Sequence, residues 1–106
     1  MTEFEKIIKV EDFPENGRFY HEFEDETVVI FRVGEQFFAI ADLCTHDGGP
    51  LEDGTLENHK IECPRHGACF DIRTGAALNL PATEPIPTYQ TKVEDGYLFV
   101  EKPENW

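Results

Sequence analysis

The sequence sets Cys44 and His46 one residue apart and, after sixteen intervening residues, Cys63 and His66 two residues apart. Each half offers one soft thiolate and one imidazole, so two halves that face each other present two sulfurs and two nitrogens to a metal centre. The rest of the chain is organised around that pair. Two kinds of centre suit the donor set. Zinc would take all four side chains tetrahedrally on one ion, but its structural sites usually space both members of each pair by two or more residues, and Cys44-Thr45-His46 is tight for that. A cluster of two irons and two sulfides would instead give both cysteines to one iron and both histidines to the other.

The residues around these four resemble the Rieske family. The first box reads Cys44-Thr45-His46-Asp47-Gly48-Gly49-Pro50-Leu51. The second reads Cys63-Pro64-Arg65-His66-Gly67-Ala68-Cys69-Phe70-Asp71, followed by Arg73-Thr74-Gly75 and later by Pro81-Ala82. The resemblance implies that Cys44, His46, Cys63 and His66 bind one 2Fe-2S cluster, and Leu80-Pro81-Ala82 is similar to the family's proline loop, which covers the cluster from the other side. Respiratory members carry an extra cysteine in each box, joined as a disulfide. Here Gly49 and Arg65 stand at the matching places, so the chain looks like the soluble Rieske-type ferredoxins, similar to the ferredoxin component of bacterial aromatic-ring dioxygenase systems.

That likeness implies a one-electron carrier that passes electrons from a flavin-dependent NAD(P)H reductase to a terminal Rieske non-haem iron oxygenase, and is not itself an enzyme. Thiolates hold their iron ferric and neutral imidazoles favour ferrous iron, so docking is expected at the His46/His66 edge. High-potential members of the family place a Ser and a Tyr hydroxyl near the cluster sulfurs. The matching residues here are Ala68 and Phe70, which have none, so a potential low for the class is expected, within roughly −150 to +300 mV. Two other readings remain. The small Rieske-like subunit of a nitrite reductase has the same fold but often lacks the full ligand set, whereas all four ligands are present here. A zinc-stapled interaction domain is the third. The oxygenase catalytic subunit is excluded by length, because no further two-His-one-carboxylate iron site is available.

Composition bounds the remainder. The 106 residues suit one domain, 1–106, with a single modest core. Nine Phe, three Tyr and one Trp supply bulky apolar groups, against a formal charge of −13. No basic stretch offers a phosphate-binding face, so no nucleic-acid partner is expected. The acidity fits a basic protein partner, or serves only to keep the surface solvated and the protein monomeric. Residues 1–10 contain Glu3, Glu5, Lys6 and Lys9 and no long apolar run, so no signal peptide or membrane span is read there and a cytoplasmic protein is expected. Cys69 is left without a disulfide partner and is read as a small buried apolar residue, the alternative being a redox-active thiol.

The apolar period is two far more often than 3.6. Strands are expected over 6–10, 17–23, 27–33 and 36–41, a short pair over 56–57 and 60–62, and a closing hairpin of 89–93 with 97–101. Residues 10–16 read as a short turn. The fold class is therefore all-β, an antiparallel β-sandwich-like framework with a small cluster-binding lobe, about 42–82, inserted in it. Asp47 is read as holding a loop turn or tuning His46, Arg65 as a docking contact or a solvated side chain beside the histidine edge, and His21 and His59 as surface residues. A His66→Cys chain that still assembles a cluster should show a lower midpoint potential in voltammetry; an unchanged midpoint would contradict the ligand assignment.

Overall fold

A computed structural model of the chain describes residues 3–24, 26–42, 51, 54–64, 67–79 and 84–103. Among these residues ten strands follow in order: β1 Phe4–Lys9, β2 Arg18–Glu22, β3 Thr27–Val33, β4 Gln36–Ala41, β5 Thr55–Glu57, β6 Lys60–Glu62, β7 Cys69–Asp71, β8 Thr88–Tyr89, β9 Thr91–Glu94 and β10 Tyr97–Glu101. All pairings are antiparallel and make three sheets, ordered β1-β10-β9, β2-β3-β4-β8 and β5-β6-β7. The expected all-β class is what the chain adopts. Among the described residues no helix is long and apolar enough to cross a membrane.

The reason for this arrangement lies in β3, where Val28, Val29, Ile30 and Phe31 are all fully buried. A strand with apolar residues on both faces needs cover on both faces. Val28 and Ile30 join Phe37 and Ala39 of β4 in a core closed by Leu98 and Val100 of β10 and by Phe13. Val29 and Phe31 join Ile40 in a second core, shared with Leu51, Ile61, Cys63, Ala68, Phe70, Ile72 and Ile86. The central sheet is thus packed between the β1-β10-β9 sheet on one side and the lobe of β5, β6 and β7 on the other.

Local chemistry sets the details. A bulge between Lys6 and Ile8 interrupts the β1 pairing, and Ile7 and Ile8 consequently both pack on the first core. A single 3₁₀ turn, Val10–Asp12, then brings Phe13 edge-on to Phe37, with ring centroids 5.1 Å apart. On the outer face of the same sheet Lys6 lies 4.3 Å from the ring centre of Tyr97, and Lys92 lies 4.7 Å from that of Phe4 and 5.3 Å from that of Phe99. The lysine stems cover those rings while the charged ends stay wet.

The strands expected over 27–33 and 36–41 are reproduced with the same bounds, and the 60–62 and 97–101 strands likewise. The first two strands differ: the first is Phe4–Lys9, ending where Val10 enters the 3₁₀ turn, and the second is Arg18–Glu22. The strand expected over 89–93 is in fact two: β8 pairs with β4, while β9 pairs with β10. Gln90 is the corner, its N–H bonded to the Glu101 carboxylate and its C=O accepting from the Glu101 N–H. Thr91 Oγ1 then donates to the Phe37 carbonyl at 2.8 Å, which ties one sheet to the other.

Phe31 is the largest fully buried side chain in the shared strand. Phe31→Ala is expected to cost about 3–5 kcal/mol in urea unfolding, whereas Val93→Ala, half exposed on β9, should cost under about 1 kcal/mol.

Candidate metal centre

The central sheet hands the chain to the lobe at Ala41 and takes it back at Thr88. Asp42 N–H bonds to Thr27 O at 3.0 Å, which holds the last described residue before the first box against the start of β3. Asp42 Oδ1 then accepts from Leu51 N–H at 2.7 Å, and Leu51 is fully buried in the lobe-side core. This bond closes the base of the segment 43–50. Cys44, His46, Asp47, Arg65, His66 and the Leu80-Pro81-Ala82 segment lie outside the described residues, so the geometry is carried by Cys63 and its surroundings.

Cys63 follows β6 directly and is completely buried, in the same core as Val29, Phe31 and Ile40. Its N–H donates to Ala68 O at 2.7 Å and its C=O accepts from Gly67 N–H at 3.1 Å, so the loop is closed at its neck. Gly67 has φ +73°, and nothing lies within 4 Å of where its Cβ would be; backbone conformation, rather than a close approach, is what requires glycine there. Ala68 is fully buried too.

Beyond the loop, β7 was not foreseen as a strand. It pairs with β6 through Ile61↔Phe70 and continues into the turn 72–75. Arg73 clamps that turn, with N–H to Asp71 Oδ1 at 2.8 Å, Nε to Oδ1 at 3.1 Å and Nη2 to Oδ2 at 3.0 Å. Gly75 completes it with φ +81°; a Cβ there would lie 2.1 Å from Ile86 O. Ile86 N–H in turn donates to Gly75 O at 2.8 Å, so the returning chain is stitched to the turn before it reaches β8.

Two buried groups in the loop have no hydrogen-bond partner among the described residues: the Cys63 thiol and the Ala68 main-chain N–H. Buried polar groups are otherwise almost always paired. A soft, anionic group that takes a thiolate as ligand and accepts an N–H bond on sulfur fits both. The expectation for Cys69 holds: it is 4% exposed, with Sγ 3.4 Å from Gly67 O. The two histidines read as surface residues are instead half-buried. His21 Nε2 bonds Glu5 Oε2 across the two sheets and packs edge-on to Phe23, while the His59 ring stands edge-on to Phe38 at 5.4 Å. Asn79, which sequence reasoning missed, bonds the loop at two points. No spacing or motif signals it.

Comparison with known proteins agrees with this geometry. The family model for the Rieske [2Fe-2S] domain matches residues 3–90. The chain is 45% identical over 78 residues to the 3-phenylpropionate/cinnamic acid dioxygenase ferredoxin subunit of Escherichia coli (strain K12), covering 73% of this chain and 74% of the relative. Among solved structures it is similar to the Sphingomonas yanoikuyae B1 ferredoxin, with a TM-score of 0.84, 31% identity, and coverage of 95% of this chain and 100% of that one. A chain in the complex of reduced oxygenase and oxidized ferredoxin in carbazole 1,9a-dioxygenase gives the same TM-score of 0.84 and 31% identity, over 95% and 97% of the two chains.

Hydrogen bonds from Arg73 hold the Asp71 carboxyl below its ordinary value of 3.8, against the opposing effect of burial. A carboxyl so depressed stabilises the fold above its unfolded value, and that stability is lost as pH falls through the depressed one. Asp71→Asn should therefore lower the urea midpoint at pH 7, and the charge-dependent part of the deficit should vanish as pH drops below 3.8. Arg73 is 53% exposed, so solvent keeps the effect small.

Proposed function

Because the chain belongs to the Rieske [2Fe-2S] domain family, and carries one 2Fe-2S cluster as an electron-transfer component rather than a catalytic enzyme, we propose that Cys44, His46, Cys63 and His66 are its ligands. The observation that carries the assignment is Cys63: a fully buried thiol at the neck of a hydrogen-bonded loop, beside a buried N–H that has no partner among the described residues. The bound cluster takes up and returns one electron. The Cys44 and Cys63 thiolates favour ferric iron, and the His46 and His66 imidazoles favour ferrous iron. Each imidazole commits one ring nitrogen to iron and keeps the other for solvent or a partner.

The electron enters from a flavin-dependent NAD(P)H reductase and leaves to a terminal Rieske non-haem iron oxygenase, both docking transiently at the His46/His66 edge. Likeness to a dioxygenase ferredoxin subunit, and to a chain in an oxygenase–ferredoxin complex, supports that route. Residues 1–106 form one domain with its lobe at about 42–82, working in the cytoplasm as a monomer. The potential lies low in the range of the class, because Ala68 and Phe70, both fully buried, offer no hydroxyl to the sulfurs.

Anaerobically purified protein tests the ligand assignment directly. It should be red-brown, and after dithionite it should give the low-average-g EPR signal of a His-ligated cluster. A colourless protein with stoichiometric zinc would sink the carrier reading in favour of a zinc-stapled domain. Ala68→Ser should raise the midpoint potential, and an unmoved midpoint in voltammetry would remove the role given to the missing hydroxyl.

A further inference from the structure

Asn79 is the last described residue before 80–83, and its side chain does what the main chain has been doing up to that point. Over 76–78 the backbone pairs with β7: Asp71 N–H donates to Ala76 O at 3.0 Å, Phe70 bridges Ala77, and Leu78 N–H donates to Cys69 O at 2.8 Å. At Asn79 the ladder gives way to a side-chain amide. Its Oδ1 accepts from Cys69 N–H at 2.7 Å, and its Nδ2 donates to Gly67 O at 3.2 Å. Both roles need a side chain with an acceptor and a donor at one end, which a short amide supplies and a carboxylate does not.

The consequence lies in which group stays free. Gly67 N–H is taken by Cys63 O, Ala68 O by Cys63 N–H, and Cys69 O by Leu78 N–H. Asn79 takes Gly67 O and Cys69 N–H. From Gly67 to Cys69, only the Ala68 N–H is left without a partner among the described residues, on a residue with no exposed surface. The loop is thus held on each side of one buried donor.

We propose that Asn79 is a positioning residue for the electron-transfer centre. Its amide pins Gly67 and Cys69 so that the Ala68 N–H stays open to sulfur of the group that Cys63 holds. The inference rests on the ligand assignment above. Hydrogen bonds to sulfur raise the potential of such a cluster, and residues that orient its surroundings govern how firmly it is held. Asn79 therefore sets both the midpoint and the lifetime of the bound cluster, without being a ligand.

The test compares intact holoprotein with Asn79→Leu, which keeps bulk and loses both hydrogen bonds, and Asn79→Asp, which keeps the acceptor and loses the donor. Three quantities are read: the midpoint potential, the rate of iron release to a chelator, and hydrogen exchange in the peptide that contains Cys69. Asn79→Leu is expected to lower the midpoint, to release iron about tenfold faster and to lose protection at Cys69, while Asn79→Asp releases iron at an intermediate rate. A native midpoint and release rate in Asn79→Leu overturn the proposal. Should that variant fail to accumulate with its cluster, Asn79→Asp decides: release faster than native supports the clamp, and native release with native exchange overturns it. A wild-type protein without the His-ligated EPR signal would defeat the ligand assignment instead, whereas a wild-type signal with unaffected variants defeats only the role of Asn79.

Discussion

The constraint on which the molecule depends is that β3 is apolar on both faces. Val28 and Ile30 face one core, and Val29 and Phe31 face the other. A strand of this kind cannot lie at a surface, so the chain must supply a layer on each side, and the β1-β10-β9 sheet and the lobe are those layers. Alternation of polar and apolar residues cannot fix its register, since a one-residue slip would still bury apolar groups. Register is instead held by the two-residue turn between Val33 and Gln36 and by side-chain size, with Phe31 opposite Phe38 on the lobe side and Ile30 opposite Ala39 on the other.

The lobe-side core extends without interruption from Phe31 and Ile40 to Cys63 and Ala68. The loop that carries Cys63, a proposed cluster ligand, is therefore seated on the framework and does not hang from it. An electron carrier benefits from such seating, because a ligand that cannot shift when the charge of the centre changes keeps the reorganisation of its surroundings small. The lobe's other fastenings serve the same end: Asp42 on Leu51, Arg73 on Asp71, and Gly75 against Ile86.

Much of this was legible in the residues, and the parts that were not have identifiable causes. β3 and β4 could be read to the residue because an apolar run ends on either side of Gly34-Glu35. The four proposed ligands are legible by type and spacing, since few chemistries need a Cys and a His so paired; of the four, Cys63 alone is described in space. The split of 89–93 into two strands could not be read, because period-two alternation passes through a corner at Gln90 as readily as through a straight strand. β7 is only three residues long, Cys69–Asp71, too short for an alternation within the second box to mark it as a strand. Asn79 bonds residues ten and twelve positions away, and an asparagine in a loop carries no mark of that. His59 looked solvated because only tertiary folding brings Phe38 beneath it.

The lobe leaves the framework at the end of β4 and rejoins it at β8, and these are neighbours: Ile40 pairs with Thr88, and Ala41 N–H donates to Pro87 O at 3.0 Å. The insertion thus begins and ends at one place, as a drawer begins and ends at its opening. The framework needs nothing from the lobe's interior to close its own hydrogen bonds at that seam, only an apolar underside to cover Val29, Phe31 and Ile40. In evolutionary terms the lobe is a cassette. A change of length inside it leaves the seam and its hydrogen bonds in place, so long as the apolar underside persists.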